Sequence, residues 1–352
     1  MLKLIPIVLA SLISLLLALS SFAFSVVQTP EVTRHQDSPQ QVKEKPEGAK
    51  ASDSDSDAEP FEQEYSGAEV ENYEFGIRIE CSGGYAKSTI VNAPLPIPWP
   101  EQEIELYEET KSDNIKKIRV RKIKKNAAYM AFVVPMLRDG EYAEAILRYR
   151  VKRRSTIYPE ETTQFSFAKK MTGELKGYLK PSPYIESNSK RIKEIGDQIF
   201  EESDGLPAWD QVEAVYSWVR ENVSYKFDTK IHTCAEALDA GHGDCEELPS
   251  LFIAICRSQG VPARAVWVPG HTYPEFYLED ETGKGHWFPC QIAGQNHEFG
   301  EMLEERPIMQ KGDRFKTPVA TEVTRYVEAG LNSKYATGSL KVEHLMRKVD
   351  QE

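Results

Sequence analysis

The amino-acid sequence predicts an α+β fold in which an all-β, sandwich-like domain precedes a second domain of helices followed by antiparallel strands. Three observations carry this reading. Residues 71–154 contain short runs rich in β-branched and aromatic residues (75–80, 87–91, 103–107, 117–123, 128–134 and 143–151), separated by turn-prone pieces such as Ser82-Gly83-Gly84 and Asp139-Gly140. From residue 187 the apolar spacing becomes helical, and beyond residue 260 strand-like runs return at 261–268, 271–278 and 286–292. Helices first and strands afterwards point to α+β, not to an alternating parallel sheet.

The chain has 352 residues, enough for about two domains. Its 28% charged and 40% apolar residues exclude wholesale disorder, collagen and polytopic membrane classes. A net charge of -12 argues against a nucleic-acid partner, which wants a basic face. The acidity is local: residues 31–74 hold 13 acidic and four basic side chains.

Residues 1–25 read as a secretory signal, with Lys3, an apolar run over 4–19 and small residues at Ser21, Ala23 and Ser25. The alternative is an uncleaved anchor over 4–27, broken only by Pro6, which would be the chain's sole membrane contact. Both place the protein outside the cytoplasm, in the periplasm or cell envelope. Residues 26–65 form a disordered acidic linker, because their Ser, Asp, Glu and Pro cannot bury enough surface to offset ordering entropy. Residues 66–155 make the sandwich-like accessory domain, whose basic cluster Lys116–Lys125 reads as the solvated face of a strand. Residues 156–182 connect it to the second domain, 183–330, and 331–352 are a C-terminal tail.

Within 183–330, Ile192, Ile195 and Ile199 share one face of a first helix. Val212, Val215, Val219 and Val223 do the same after Pro207. A short helix over 233–240 ends at Gly241, and a helix over 245–259 presents Leu248, Leu251, Phe252 and Ile255 inward before Gly260 stops it. Strands follow, with a further strand signal over 316–326.

The chemistry centres on Gly243-Asp244-Cys245-Glu246-Glu247. A cysteine at the first turn of a helix lies beside free N–H groups and the positive helix end, which favour thiolate. Glu246 and Glu247 oppose a thiolate unless they face solvent. His271 opens a strand after Pro269-Gly270, where its imidazole could take the thiol proton and return it to a leaving amine. A hairpin folded near residue 281 or 282 sets His271 opposite Gln291 or Ile292, so Gln291 could orient the ring. Asp280 is nine positions along the strand, about 30 Å away at roughly 3.3 Å per residue, and cannot.

Gly243-Asp244-Cys245, the run from Leu251 to Arg257-Ser258-Gln259-Gly260-Val261-Pro262-Ala263-Arg264, residues 271–278 and Trp287-Phe288-Pro289 resemble the core of the transglutaminase-like superfamily, relatives of papain-type cysteine proteases. The resemblance spans about 183–292. It implies a papain/transglutaminase-like core, in which the helix bearing the cysteine packs on an antiparallel sheet and a histidine and an aspartate on successive strands complete a triad. Cys245 then matches the nucleophile and His271 the general base and acid. Where the family shows Trp-x-Pro-x-Asp, this chain reads Trp287-Phe288-Pro289-Cys290-Gln291, so Gln291 stands in the aspartate's place. An amide oxygen can fix the imidazole tautomer but cannot stabilise imidazolium by charge. The resemblance implies acyl transfer through a Cys245 thioester on a peptide or protein amide, without a cofactor; hydrolysis, deamidation and crosslinking stay open. The alternative is a catalytically silent interaction module of the cell envelope that keeps the fold.

The remaining constellations read as structural. His232-x-Cys234 and His242-x-x-Cys245 offer four zinc ligands at a spacing that fits no strong signature. In an oxidising compartment Cys81, Cys234, Cys256 and Cys290 could form up to two disulfides, leaving Cys245 free. Trp209, Trp218, Trp267 and Trp287 read as core, Arg264 as the partner of a carboxylate, and His286, His297 and His344 as outside any constellation.

Overall fold

The computed structural model describes residues 59–350. The signal or anchor segment and the linker as far as residue 58 lie outside the described residues. Six strands come first: β1 (Tyr65–Ser82), β2 (Tyr85–Leu95), β3 (Gln102–Lys111), β4 (Arg119–Ile123), β5 (Ala127–Arg138) and β6 (Tyr142–Thr156). Next are α1 (Gly173–Gly177), α2 (Lys190–Glu202), α3 (Ala208–Asn222), β7 (Ser224–Tyr225), α4 (Cys234–Ala240), β8 (His242–Gly243) and α5 (Glu247–Ser258). Last come β9 (Ala263–Val268), β10 (His271–Glu279), β11 (Gly285–Gln291), β12 (Glu298–Phe299), β13 (Gln310–Lys311), β14 (Gly330–Ala336) and β15 (Ser339–Val349). The α+β class read from the sequence is the class observed.

Period-two burial builds the N-terminal layers. Phe75, Ile77 and Ile79 of β1, Leu147 and Tyr149 of β6, and Val91, Met130 and Phe132 of β2 and β5 meet in one apolar core. One sheet runs β15-β1-β6-β3. The other is longer, β12-β11-β10-β9-β13-β5-β2-β14, with β4 beside β5. The two-residue β13 makes that continuity: Gln310 pairs with Trp267 on one side and Ala127 on the other. The strand that carries His271 and the strands of the N-terminal region therefore belong to a single sheet.

The second core is helical on one side. Every residue of α5 from Glu247 to Arg257 is buried, and its apolar residues pack with Val212, Val215 and Val219 of α3, Ile192 and Ile199 of α2, and Phe276 and Phe288 of the sheet. Trp209 sits among Phe165, Phe276, Phe288 and Phe299 at edge-on or tilted ring contacts of 5.0–5.7 Å.

Four expectations meet a different structure. The segment after residue 330 is not a tail: β14 pairs with β2 and β15 pairs with β1 from Asn72 to Ser82. Its side chains are mostly exposed, so the apolar pattern that marks a buried strand is absent; backbone pairing holds it, with Glu74 clasped by Arg148 at 2.7 Å and Arg347 at 2.6 Å. The linker's last residues are tied down: the Phe61 N–H donates to Asp280 Oδ2 at 2.9 Å, and its ring packs on Phe165 and His286. The 316–326 strand is a lone bridge between Phe315 and Thr324, because Pro318 cannot donate to a ladder. All five cysteines are free. Cys81 lies in the first core and Cys234, Cys256 and Cys290 in the second, where they pack as apolar side chains. Among the described residues no helix is long and apolar enough to cross a membrane.

Candidate active site

Cys245 sits in the turn between β8 and α5, two residues before the helix begins at Glu247. Gly243 makes that turn possible: a Cβ there would fall 2.6 Å from Glu247 Cβ. The carboxylates then lock it. Asp244 Oδ1 accepts the Glu246 N–H at 2.8 Å, while Glu247 accepts the Asp244 N–H at 3.0 Å and the His232 N–H at 2.8 Å. Glu246 forms an ion pair at 3.1 Å with Arg325, whose Nη2 also donates to Ser250 Oγ. The two glutamates that oppose a thiolate therefore turn inward to protein partners, not to solvent.

This arrangement works against an ionised sulfur. Burial, followed by the Asp244 and Glu246 charges, pushes the Cys245 thiol up to about 11, although the Thr272 and Cys245 backbone N–H groups favour the thiolate. Because α5 starts after Cys245, its positive end is outweighed. That direction favours the thiol form of Cys245 at neutral pH.

His271 opens β10, next to the Thr272 N–H that faces the Cys245 sulfur. Its Nε2 lies 3.0 Å from Gln291 Oε1. An amide oxygen only accepts, so Nε2 carries the proton and Nδ1 keeps the lone pair that can receive the thiol proton. Burial lowers the imidazole pKa below its ordinary value; the Gln291 bond opposes this and Arg306 adds to it. The shift favours the neutral imidazole at pH 7.

Gln291 ends β11. The β10–β11 ladder centres on residue 282 and stops at Glu275 with Pro289, after which Gln291 pairs with Glu298 of β12. It reaches His271 through its side chain. Its carbonyl oxygen is held by Tyr216 Oη at 3.2 Å and Arg220 Nη1 at 3.3 Å from α3. Gly294 presses on it, since a Cβ there would lie 2.6 Å from Gln291 Cγ. Replacing Gln291 by Asp is expected to leave kcat/KM equal or up to about tenfold higher, because a carboxylate stabilises imidazolium. The acid limb of the pH profile should move to higher pH; a large loss of kcat/KM would give Gln291 another role.

Cys245 and His271 line one cavity of about 500 Å³. No sequence signal marks its other walls, which include residues 227–231 and His344. The same holds for the Glu304–Arg306 pair beside His271, the His286–Asp280 contact at 2.8 Å and the His297–Glu213 contact at 3.3 Å. The proposed zinc ligands are engaged elsewhere: Cys234 Sγ donates to Tyr184 O, His232 faces Asp228, and His242 lies 3.4 Å from Lys226 Nζ. Among the described residues no group of three or more His, Cys, Asp or Glu is placed to hold a metal. Arg264 grips Glu275 at 2.7 Å through Nε and Nη2, its guanidinium 4.0 Å from the Trp287 ring centroid. The exposed side chains of β4 leave the Lys116–Lys125 cluster largely solvated.

The helix that follows Cys245 packs on the antiparallel sheet whose strand β10 opens at His271. Residues 194–292 match the family model of the transglutaminase-like superfamily, and this stretch is a transglutaminase-like domain. Among solved structures, a protein from Cytophaga hutchinsonii proposed to be a cysteine protease shares the fold at a TM-score of 0.52 and 15% identity, covering 82% of this chain and 94% of that one. A second, from Parabacteroides distasonis and proposed to be a protease, aligns at a TM-score of 0.24 and 10% identity over 63% of this chain and 71% of that one, too weakly to bear on the fold. No curated protein matches the sequence.

Proposed function

We propose that this chain is a cysteine enzyme that acts on peptide or protein amides by acyl transfer. The observation that supports it most is the shared cavity of Cys245 and His271, with the imidazole oriented by Gln291. Cys245 Sγ attacks the amide carbonyl while His271 Nδ1 takes the thiol proton; the C–N bond breaks and the proton leaves on the amine. Water or a second amine then attacks the thioester, the same nitrogen moving the proton, and the thiol returns. The Cys245 N–H supports the oxyanion. Proton transfer accompanies attack, because the thiol is neutral and the base is at hand.

Hydroxylamine tests this. A peptide substrate incubated with the protein and hydroxylamine should yield the hydroxamate, since the nitrogen of hydroxylamine displaces the thioester sulfur. Cys245→Ala should abolish the product. The elevated thiol pKa is the feature that favours the silent, binding-only reading, and absence of hydroxamate across a broad peptide mixture would establish that reading instead. Residues 1–25 support export to the periplasm or cell envelope, which cell fractionation tests.

A further inference from the structure

The cavity beside Cys245 is not walled by the transglutaminase-like domain alone. Trp267 of β9, Met309 and Tyr326 form part of it, and Pro94 of β2, Ala329 before β14 and Met346 of β15 close it from the N-terminal sheets. The carboxylates nearest the sulfur are already engaged: Asp244 and Glu247 by backbone N–H groups, Glu246 by Arg325. What faces the space is therefore largely apolar, and about 500 Å³ lies within the roughly 300–1,000 Å³ of small-ligand pockets.

Orientation follows from the proton path. His271 Nδ1 must reach the departing amine, so the amine side of the substrate faces the His271–Gln291 wall. The acyl side is left with the apolar walls. We propose that this cavity is the acyl-side subsite for a bulky apolar side chain, such as Leu or Phe, and that Pro94, Ala329 and Met346 set the size it accepts. The inference rests on the acyl-transfer reading above. It gives β14 and β15 a part in selectivity as well as in closing the sheets. An acidic side chain is disfavoured by its desolvation against the apolar walls.

The test measures the second-order rate at which the full chain is alkylated at Cys245 by N-acetyl-X chloromethyl ketones, with X as Gly, Ala, Leu, Phe, Asp or Lys and mass spectrometry locating the adduct. Leu and Phe should react at least about tenfold faster than Gly, and Asp slowest. Ala329→Trp should slow Phe by about 10–200-fold while changing Gly by less than about threefold. Ala329 is half-buried, so the larger ring has room to settle; Met346→Ala, which widens the same wall, should shift the preference from Leu toward Phe. Rates alike for every X, or a ranking unmoved by both variants, would overturn the subsite while leaving the nucleophile in place. Failure of every ketone to label Cys245 faster than free cysteine would overturn the acyl-transfer reading and the subsite with it.

Discussion

His271→Ala is expected to lower kcat/KM by about 10²–10⁴ and to leave the fold intact. With the thiol pushed up to about 11, the thiolate is only about one part in 10⁴ at pH 7, so attack depends on a base that removes the proton as the carbon–sulfur bond forms. The depressed imidazole pKa sets the direction of the pH dependence. Neutral His271 persists below the ordinary 6.5, so activity is present above that value and is lost as pH falls through the lowered one. Steady-state kinetics with thermal unfolding as the control checks this, and a variant within about threefold of the parent would remove His271 from the chemistry.

Glu275→Gln is expected to cost about 3–5 kcal/mol of stability. Glu275 is 2% exposed and takes Arg264 on one oxygen and Lys311, at 2.5 Å, on the other. Lys311 also contacts Glu101, the residue before β3, so the chain of charges ties the N-terminal sheet region to β9, β10 and β13. Burial alone raises the Glu275 pKa, but the Arg264 and Lys311 charges hold it below the usual carboxylate value. An uncharged amide of the same size would leave two buried cations facing one remaining carboxylate. Urea denaturation measures the loss; a change under about 1 kcal/mol would show that the network adds little beyond its hydrophobic equivalent.

Parts of this molecule were open to sequence reasoning because their physics is local. The apolar face of α5, the isoleucines of α2 and the valines of α3 follow the helical period, and all are buried except the half-buried Ile195. Hairpin arithmetic brought His271 near Gln291, and the two side chains meet even though the ladder stops at Pro289. Other features depend on distant partners. β15 carries Lys, Glu and Arg on an exposed strand and joins β1 through its backbone, which no apolar alternation announces. The apolar cavity needs Pro94 and Met346, far apart in sequence, on neighbouring walls. The Cys245 pKa turned on depth: the helix end was legible at Glu247, but burial and the inward turn of Glu246 toward Arg325 were not.

The most direct test is the pH dependence of Cys245 acylation by an activated amino-acid ester, followed by mass spectrometry in the parent and in His271→Ala. The account predicts an acid limb below 6.5 in the parent, from the imidazole, and its replacement in the variant by a rise toward about 11, from the bare thiol. A parent rate that climbs toward pH 11 in the same way as the variant would contradict it.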